Sequence, residues 1–323
     1  MIVGKLIKYL FNSDYRFVVD AYRGKYQDLD DETYIKRLFK GSLGYELNLK
    51  SPQTFNEKIQ WLKLYDRKPE YTKMVDKYYA KEYVSDLIGS EHIVTTYGVW
   101  KNFEDIDFNS LPSQFVLKCT HDSGGVVVCR EKKDLNIEKT RKILEKSLKR
   151  NFYTVSREWP YKNVEPQIMA EAYLEEEQNA DGLIDYKFFC FNGKAEFLYI
   201  SIGLDNHSTA RMSFYDLDGK ELEFGRSDYQ KLGAIDLPDN YDEMLRIANI
   251  MAKEINSAFV RIDLYSVNGK IYFSEITFSP CGGLLPFSPI NADKKVGKLL
   301  SLPTGVIANE EANKSTIVDS ENE

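Results

Sequence analysis

Phe259-Val260-Arg261-Ile262-Asp263-Leu264-Tyr265, answered by Phe273-Ser274-Glu275-Ile276-Thr277, is the stretch on which the reading of this chain turns. Asn268-Gly269 between the two arms signals a β-hairpin, because both residues tolerate the backbone of a tight turn. Side chains alternate along a strand, so loop length decides which residues of the two arms share a face. A two-residue loop puts Asp263 and Glu275 on opposite faces. A three-residue loop, Val267-Asn268-Gly269 with Gly269 as a G1 bulge, gathers Arg261, Asp263, Glu275 and Thr277. The other face is then Val260, Ile262, Leu264, Tyr272 and Ile276, and this division of polar from apolar residues favours the odd loop. Two carboxylates diagonal to each other on neighbouring strands, at roughly 7 Å or less, can share a hard divalent cation. Mg²⁺ suits such a pair, since it takes one or two protein carboxylates and completes its shell with water and phosphate. Thr277 adds an oxygen, and Arg261 can neutralise phosphate charge. The plainer alternative is a cross-strand ion pair of Arg261 with these carboxylates on an exposed sheet face.

At 323 residues the chain has room for two domains, or for one with subdomains. Its net charge of −7 argues against broad nucleic-acid binding. The four cysteines include no C-x-x-C pair, so they form neither a zinc pattern nor a disulfide framework and fit a reducing cytoplasm. No apolar run reaches membrane-spanning length. Met1–Phe11 carries Lys5 and Lys8 and lacks a small-residue cleavage site, which argues against a signal peptide. It reads as an amphipathic helix docked on the domain, with contact to a membrane surface as the alternative.

Residues 1–90 read as helical. Thr54-Phe55-Asn56-Glu57 is a capping box opening a helix with Phe55, Ile59 and Leu62 on one face. A second helix is expected over Met74–Ile88, with Met74, Val75, Tyr78 and Val84 inward and a stop at Gly89. Residues 91–165 form a small α/β unit with strands near Ile93–Thr96, Phe115–Lys118 and Val126–Cys129 and a helix over Asn136–Lys149. Residues 166–303 are mostly strands: Ile168–Leu174, then an acidic turn Glu175-Glu176-Glu177. Hairpins follow at Asn192-Gly193 and Asp218-Gly219, and a helix at Asp242–Asn256 precedes the Arg261 hairpin. The acidic tail 304–323 is expected to be disordered.

Ser123-Gly124-Gly125 lies between two strands, where its N–H groups could meet phosphate oxygens beside Lys118, although two adjacent glycines are weak evidence and a plain hairpin turn is the simpler reading. It matches neither a Walker A loop nor a Rossmann fingerprint. His121, a lone histidine, reads as structural, and Cys119 and Cys129 as buried. Cys281 lacks a basic partner to activate it. Phe188, Phe189, Phe191 and Phe197 read as sheet core.

An early lysine, a lysine before a glycine loop, a Glu-containing strand, then R-x-D and E-x-T on paired strands together resemble the ATP-grasp superfamily. Within it, Phe55-Asn56-Glu57-Lys58-Ile59-Gln60-Trp61-Leu62-Lys63, Asp185-Tyr186-Lys187-Phe188-Phe189-Cys190-Phe191-Asn192-Gly193 and Glu275-Ile276-Thr277-Phe278-Ser279-Pro280 resemble the TupA-like ATP-grasp family of teichuronopeptide and other surface-polysaccharide gene clusters. The likeness runs nearly to Pro303. It implies an α+β ATP-grasp fold, two α+β subdomains clasping ATP, with a helical N-terminal region.

The resemblance also implies roles. Lys77 and Lys118 contact the α- and β-phosphates, and Ser123, Gly124 and Gly125 cover them. Glu171 takes the adenine amine, Ala172 and Leu174 offer backbone groups, and Asp185 meets the ribose. Asp263, Glu275 and Thr277 hold Mg²⁺, Arg261 steadies the transferred phosphoryl, and Arg211 is a further phosphate or carboxylate contact. Many relatives have Asn where this chain has Thr277, a weaker ligand for a second metal. The implied reaction is ATP-dependent ligation of a carboxylate to an amine or amino acid through an acyl phosphate, with an acidic sugar or glycan as the carboxylate. Three rivals stand beside it: a glycosyltransferase, opposed by the missing D-x-D motif and Rossmann half; a silent glycan- or partner-binding module, opposed by the intact Lys118, Asp263 and Glu275; and a small-molecule kinase that stops after phosphoryl transfer.

Overall fold

The computed structural model describes residues 2–122, 124–175, 182–203 and 210–303. Ser123, Glu176 and Glu177 of the expected acidic turn, and the tail expected to be disordered, lie outside them. The N-terminal region is helical, as its patterning predicts: α1 (Ile2–Phe11), α2 (Ser13–Tyr22), α3 (Asp31–Leu43), α4 (Phe55–Tyr65), α5 (Tyr71–Val75) and α6 (Tyr79–Ile88). At the start of α4 the Thr54 hydroxyl accepts the Glu57 N–H at 3.1 Å, and the Glu57 carboxylate accepts the Thr54 N–H at 3.0 Å.

The single helix expected over Met74–Ile88 is two helices. Asp76 leaves the helical backbone, and its carboxylate accepts the N–H groups of Tyr78 and Tyr79 at 2.8 and 3.0 Å to start α6. Lys77 donates its N–H to Thr120 O at 3.0 Å, and Tyr78 is exposed rather than inward. Apolar spacing survives so short a break, so periodicity does not reveal it.

Strands β1 (Thr96–Trp100), β2 (Phe115–Cys119), β3 (Val126–Cys129) and β4 (Ile168–Glu171) form an antiparallel sheet in the order β1-β4-β2-β3. The strand expected over Ile93–Thr96 thus begins only at Thr96. Helix α7 (Ile137–Leu148), capped by Asn136, packs Leu144 on Phe115, Leu117 and Ile168. A short helix α8 (Tyr153–Ser156) leads toward β4.

The second sheet contains β5 (Ile184–Phe191), β6 (Lys194–Ile202) and β7 (Arg211–Tyr215). A two-residue β8 (Gly225–Arg226) pairs elsewhere; then come α9 (Tyr241–Ile255), β9 (Phe259–Val267) and β10 (Lys270–Thr277). Its antiparallel order is β10-β9-β5-β6-β7. Strand β11 (Phe287–Ser288) pairs with β8, and α10 (Asn291–Gly297) follows. The Asn192-Gly193 hairpin joins β5 and β6 as expected. The Asp218-Gly219 turn has no second strand: the return arm makes one bridge, Glu221 to Tyr215, before Leu222 and Phe224 pack onto the aromatic core.

One face of the second sheet is covered by α9, whose Met244, Ile247, Met251 and Ile255 pack on Phe188, Leu198, Val260, Ile262 and Leu264. On the other face Phe189, Phe191, Phe197, Phe214 and Phe259 form an aromatic cluster with Phe55 of α4 and Phe287. Beyond that cluster the face turns polar.

The β9–β10 hairpin reaches the expected parity by another route. Val267 pairs with Lys270, so the loop is the two residues Asn268 and Gly269, both at positive φ. The odd residue is Ser274, where the register slips between Phe273 and Glu275. A bulge anywhere between Leu264 and Glu275 flips the faces in the same way. Glu275 therefore lies directly opposite Asp263, not diagonal to it, and Thr277 opposite Arg261. Ile271 and Phe273 take the inward positions expected for Tyr272, which is half-buried.

Candidate active site

Three neighbouring strands bring the polar cluster together: Lys187 on β5 is the register partner of Asp263 on β9, which faces Glu275 on β10. Arg261 Nε and Nη2 donate to the two Asp263 oxygens at 2.7 and 2.6 Å. The same Nη2 reaches Glu275 Oε1 at 2.8 Å and Thr277 Oγ1 at 3.0 Å. Lys187 Nζ ties Asp263 Oδ2 to Asp185 Oδ1 at 2.7 and 2.9 Å. The cross-strand ion pair therefore forms, but on a buried face.

Oxygens of Asp263, Glu275 and Thr277 converge on one point, and a cationic nitrogen stands there. That oxygen set fits a hard divalent cation. Among the described residues no group of three His, Cys, Asp or Glu side chains could hold a metal, so such an ion would complete its shell with water and phosphate. The two carboxylates differ in access: the Asp263 side chain is fully buried, whereas that of Glu275 is 34% exposed. Burial works to raise the pKa of Glu275, yet Arg261, Lys187 and Lys77 hold it at about 2, so it is ionised at neutral pH.

On the first sheet, Lys118 and Lys81 both pair with Glu171, Lys81 at 2.9 Å. Burial alone would raise the pKa of Glu171, but the two lysines keep it below the usual carboxylate range. Ala172 donates its N–H to Thr95 O at 2.9 Å. In the glycine loop the Asp122 carboxylate accepts the N–H groups of Gly124 and Gly125 at 3.1 and 3.2 Å, and the Ser147 hydroxyl as well. The concavity read as a phosphate cradle thus holds an internal carboxylate, an anion in the same kind of nest. A Cβ on Gly125 would lie 2.4 Å from Ser147 Oγ, so the close approach requires glycine. Lys77 Nζ bonds Asp122 O, and Glu275 and Lys118 both act electrostatically on Lys77, which links the two sheets.

A cavity of about 520 Å³ adjoins the cluster. Lys77, Arg261, Glu275 and Thr277 line one part of it, and Arg150, Glu158, Tyr161, Arg226 and Asp228 are among the residues lining the rest. Arg226 is held by a two-point ion pair with Asp228 at 2.9 and 2.6 Å. Glu158 has no cation within ion-pairing distance among the described residues; burial pushes its pKa to about 7, against the opposing pull of Lys63. Lys63 itself is lowered to about 8 by burial, with Glu158 and Asp31 pulling the other way.

A raised carboxyl pKa means that the folded chain holds a proton the unfolded chain has lost, so Glu158 costs stability as pH climbs from about 4.5 to about 7. Lys63 acts in the opposite sense, its deficit being recovered between about 8 and 10.5. The melting temperature of Glu158→Gln should therefore fall less than that of wild type between pH 5 and 7.5. Parallel melting curves across that window would refute the assignment of a raised pKa.

Helix α4 positions the turn after β10. Asn56, Gln60 and Lys63, spaced along one side of the helix, hold it: Asn56 exchanges hydrogen bonds with Leu285, Gln60 Nε2 donates to Gly282 O and Gly283 O, and Lys63 Nζ donates to Gly282 O at 2.9 Å. An N-terminal motif and a C-terminal one are thereby joined in one structural unit. Cys281 lies in this turn, with positive φ, at the cavity wall.

Of the expected site residues, Arg261, Asp263, Glu275 and Thr277 meet directly, Lys77 joins them at the cavity, and Asp185 reaches them through Lys187. Lys118 and Glu171 pair on the first sheet, and Leu174 follows them past β4. Arg211 opens β7, half-buried, outside the cavity lining. Ser123 lies outside the described residues. His121 is structural, its Nε2 within 3.1 Å of Ser147 O and 3.0 Å of Arg150 O. Sequence reasoning missed Lys187, although its two-residue offset from Asp185 on a strand marked a shared face. It also missed Lys81, Glu158 and Arg226; Glu158 lies in an irregular segment and Arg226 in a two-residue strand, neither of which shows periodicity.

The profile of the TupA-like ATPgrasp family matches residues 57–301, more than half the chain. This protein belongs to that family. Membership places it in the ATP-grasp superfamily, with the α+β fold described above. No curated protein matches the sequence significantly. The TupA-like chain is similar to a D-alanine–D-alanine ligase from Helicobacter pylori at 15% identity, covering 76% of this chain and 69% of that one, with a TM-score of 0.40. The corresponding Bacillus anthracis ligase aligns at 16% identity over 70% of this chain and 60% of its own, with a TM-score of 0.38. An N5-carboxyaminoimidazole ribonucleotide synthetase from Thermotoga maritima aligns at 14% identity over 78% of this chain and 49% of its own, with a TM-score of 0.36. The chain thus spans less than two thirds of the length of the latter two. Among the described residues of this TupA-like protein no helix is long and apolar enough to cross a membrane.

Proposed function

We propose that this TupA-like protein is a cytoplasmic, ADP-forming, Mg²⁺-dependent carboxylate–amine ligase. It joins a uronic acid, or another acidic component of a cell-surface or capsular polysaccharide, to an amine or amino acid. The observation that carries this reading is the convergence of Asp263, Glu275 and Thr277 oxygens on one cation position at the wall of a cationic cavity.

Bound Mg²⁺ supplies Lewis-acid polarisation and charge neutralisation at the transferring phosphoryl group. Asp263, Glu275 and Thr277 hold it. Arg261 steadies the phosphoryl oxygens, and Lys77 and Lys118 take the α- and β-phosphates, with Arg211 a further phosphate or carboxylate contact. Ser123, Gly124 and Gly125 cover the phosphates and exclude water from the acyl phosphate; Asp122 gives up the N–H groups of Gly124 and Gly125 to the nucleotide. Glu171 meets the adenine amine, Ala172 and Leu174 present backbone groups to the ring, and Asp185 takes the ribose.

In the cavity, Arg226 and Arg150 receive the substrate carboxylate. Glu158 takes one proton from the incoming ammonium group, which frees its lone pair. The nitrogen then attacks the acyl carbon, the C–O bond to phosphate breaks, and the second proton leaves with the phosphate. A neighbouring cleft of about 630 Å³ shares Tyr22, Arg150 and Val155 with this cavity and adds Arg23, Lys146 and Lys149, which favours an extended anionic acceptor.

Calorimetry with MgATP and with UDP-glucose tests the assignment. MgATP should bind and UDP-glucose should not; the reverse result would make the chain a glycosyltransferase, and binding of neither a silent module. With D-glucuronate as carboxylate probe and hydroxylamine as nucleophile, ADP release should be matched by hydroxamate. ADP without hydroxamate would reduce the reaction to that of a kinase.

A further inference from the structure

Helix α1 is docked the wrong way round for a helix whose apolar side belongs in a core. Leu6, Ile7, Leu10 and Phe11 are 57%, 52%, 56% and 84% exposed. At about 100° per residue they share an arc of roughly 140°. The opposite side is the one that meets α2: Tyr9 donates its hydroxyl to Asp20 at 2.8 Å, and Lys8 Nζ lies 4.6 Å from the centre of the Tyr15 ring. Arg16 donates to the carbonyls of Tyr9 and Leu10 at 3.3 and 3.0 Å, closing the C-terminal end of α1 in this orientation. Polar contacts thus fix the helix with its apolar stripe outward. Scattered apolar residues on a surface need no explanation, but four in six positions on one stripe do.

Charge indicates what covers the stripe. In a chain of net charge −7, residues 4–25 carry Lys5, Lys8, Arg16, Arg23 and Lys25 against only Asp14 and Asp20. Size narrows the choice further. A ten-residue helix is about 15 Å long, far too small a footprint for the roughly 800 Å² that each partner gives to a stable protein interface. An anionic bilayer demands no such area: a short basic amphipathic helix lies in its headgroup layer, apolar side down, with cations drawn to acidic lipid.

We infer that α1 is a membrane-surface anchor that seats this protein on anionic phospholipid through Leu6, Ile7, Leu10 and Phe11. The anchor is continuous with the site, because α2 ends at Tyr22, which lines both cavities, and Arg23 beside it lines the second. Seating α1 on the bilayer holds this wall of the acceptor cleft close to the membrane, where acceptors carried on lipid are presented.

Co-sedimentation of the full chain with vesicles tests the inference, using phosphatidylcholine with 30% phosphatidylglycerol against pure phosphatidylcholine. The wild type should pellet with the anionic vesicles and be released as salt rises. Leu6→Glu with Leu10→Glu should lower the bound fraction at least tenfold, and Lys5→Glu with Lys8→Glu severalfold, both with unchanged melting temperature and unchanged MgATP binding. Wild type remaining in the supernatant would overturn the anchor, as would undiminished binding by Leu6→Glu/Leu10→Glu. So would self-association, seen by analytical ultracentrifugation and abolished by those substitutions without vesicle binding, because the stripe would then belong to a second copy. Nucleotide binding is read separately, so loss of the ligase assignment and loss of the anchor are distinguishable.

Discussion

Glu275→Gln is expected to cut Mg²⁺-dependent turnover by a factor on the order of 10²–10³ while leaving the protein folded. The substitution keeps shape and hydrogen bonding, and the Glu275 side chain is partly exposed, so solvent screens part of the stability lost with its charge. What it removes is one of the two carboxylates at the convergence point, held ionised at about pH 2 and above. Loss of one preorganised charge at a phosphoryl-transfer centre costs on the order of 10²–10³ in rate. MgATP affinity should fall roughly tenfold or more, whereas binding of ATP in EDTA should hardly change. Equal losses with and without Mg²⁺ would show that Glu275 only orients Arg261.

Asp263→Asn should behave differently, because Asp263 is fully buried under two cations. Both oxygens are taken by Arg261, and one also by Lys187, all at 2.6–2.7 Å. Removing the charge leaves buried cations undercompensated, a change that typically costs about 3–5 kcal/mol. For a chain of this length that lowers the melting temperature by roughly 4–7 °C. Adding Lys187→Met should recover part of the stability but none of the turnover. A melting temperature within a degree of wild type would mean that Arg261 and Lys187 find other partners, and the buried-triad account would fail.

These two carboxylates also show how far the sequence could be read. Apolar alternation in Phe259–Tyr265 and the Asn268-Gly269 turn were enough to predict that Arg261, Asp263, Glu275 and Thr277 share a face. Where the odd residue sits was not legible, because a bulge at Gly269 and one at Ser274 leave the same alternation at both ends of the hairpin. The capping box of α4, the inward face of α9 and the strand limits at Val126–Cys129 were equally local, and all hold in the structure. The break at Asp76 was missed because apolar spacing runs through so short an interruption, although Asp76 caps α6 locally and the Lys77 N–H turns to Thr120 O.

Local patterning therefore determined the types of the longer elements, the shared face of the β9–β10 hairpin and, through the motif order, the family, but not the split of α5 from α6 or the missing return strand after Gly219. Tertiary structure decided which of those residues are accessible and what they are paired with. Lys187 and Arg261 cover Asp263, Lys81 joins Lys118 on Glu171, and Asp122 fills its own glycine nest. Glu158 and Arg226 come to one cavity from segments 68 residues apart. Periodicity reports which side of a strand or helix a residue occupies, since that depends on its neighbours in the chain. Pairing and burial of charge depend on which distant segment packs opposite, and no local pattern encodes that.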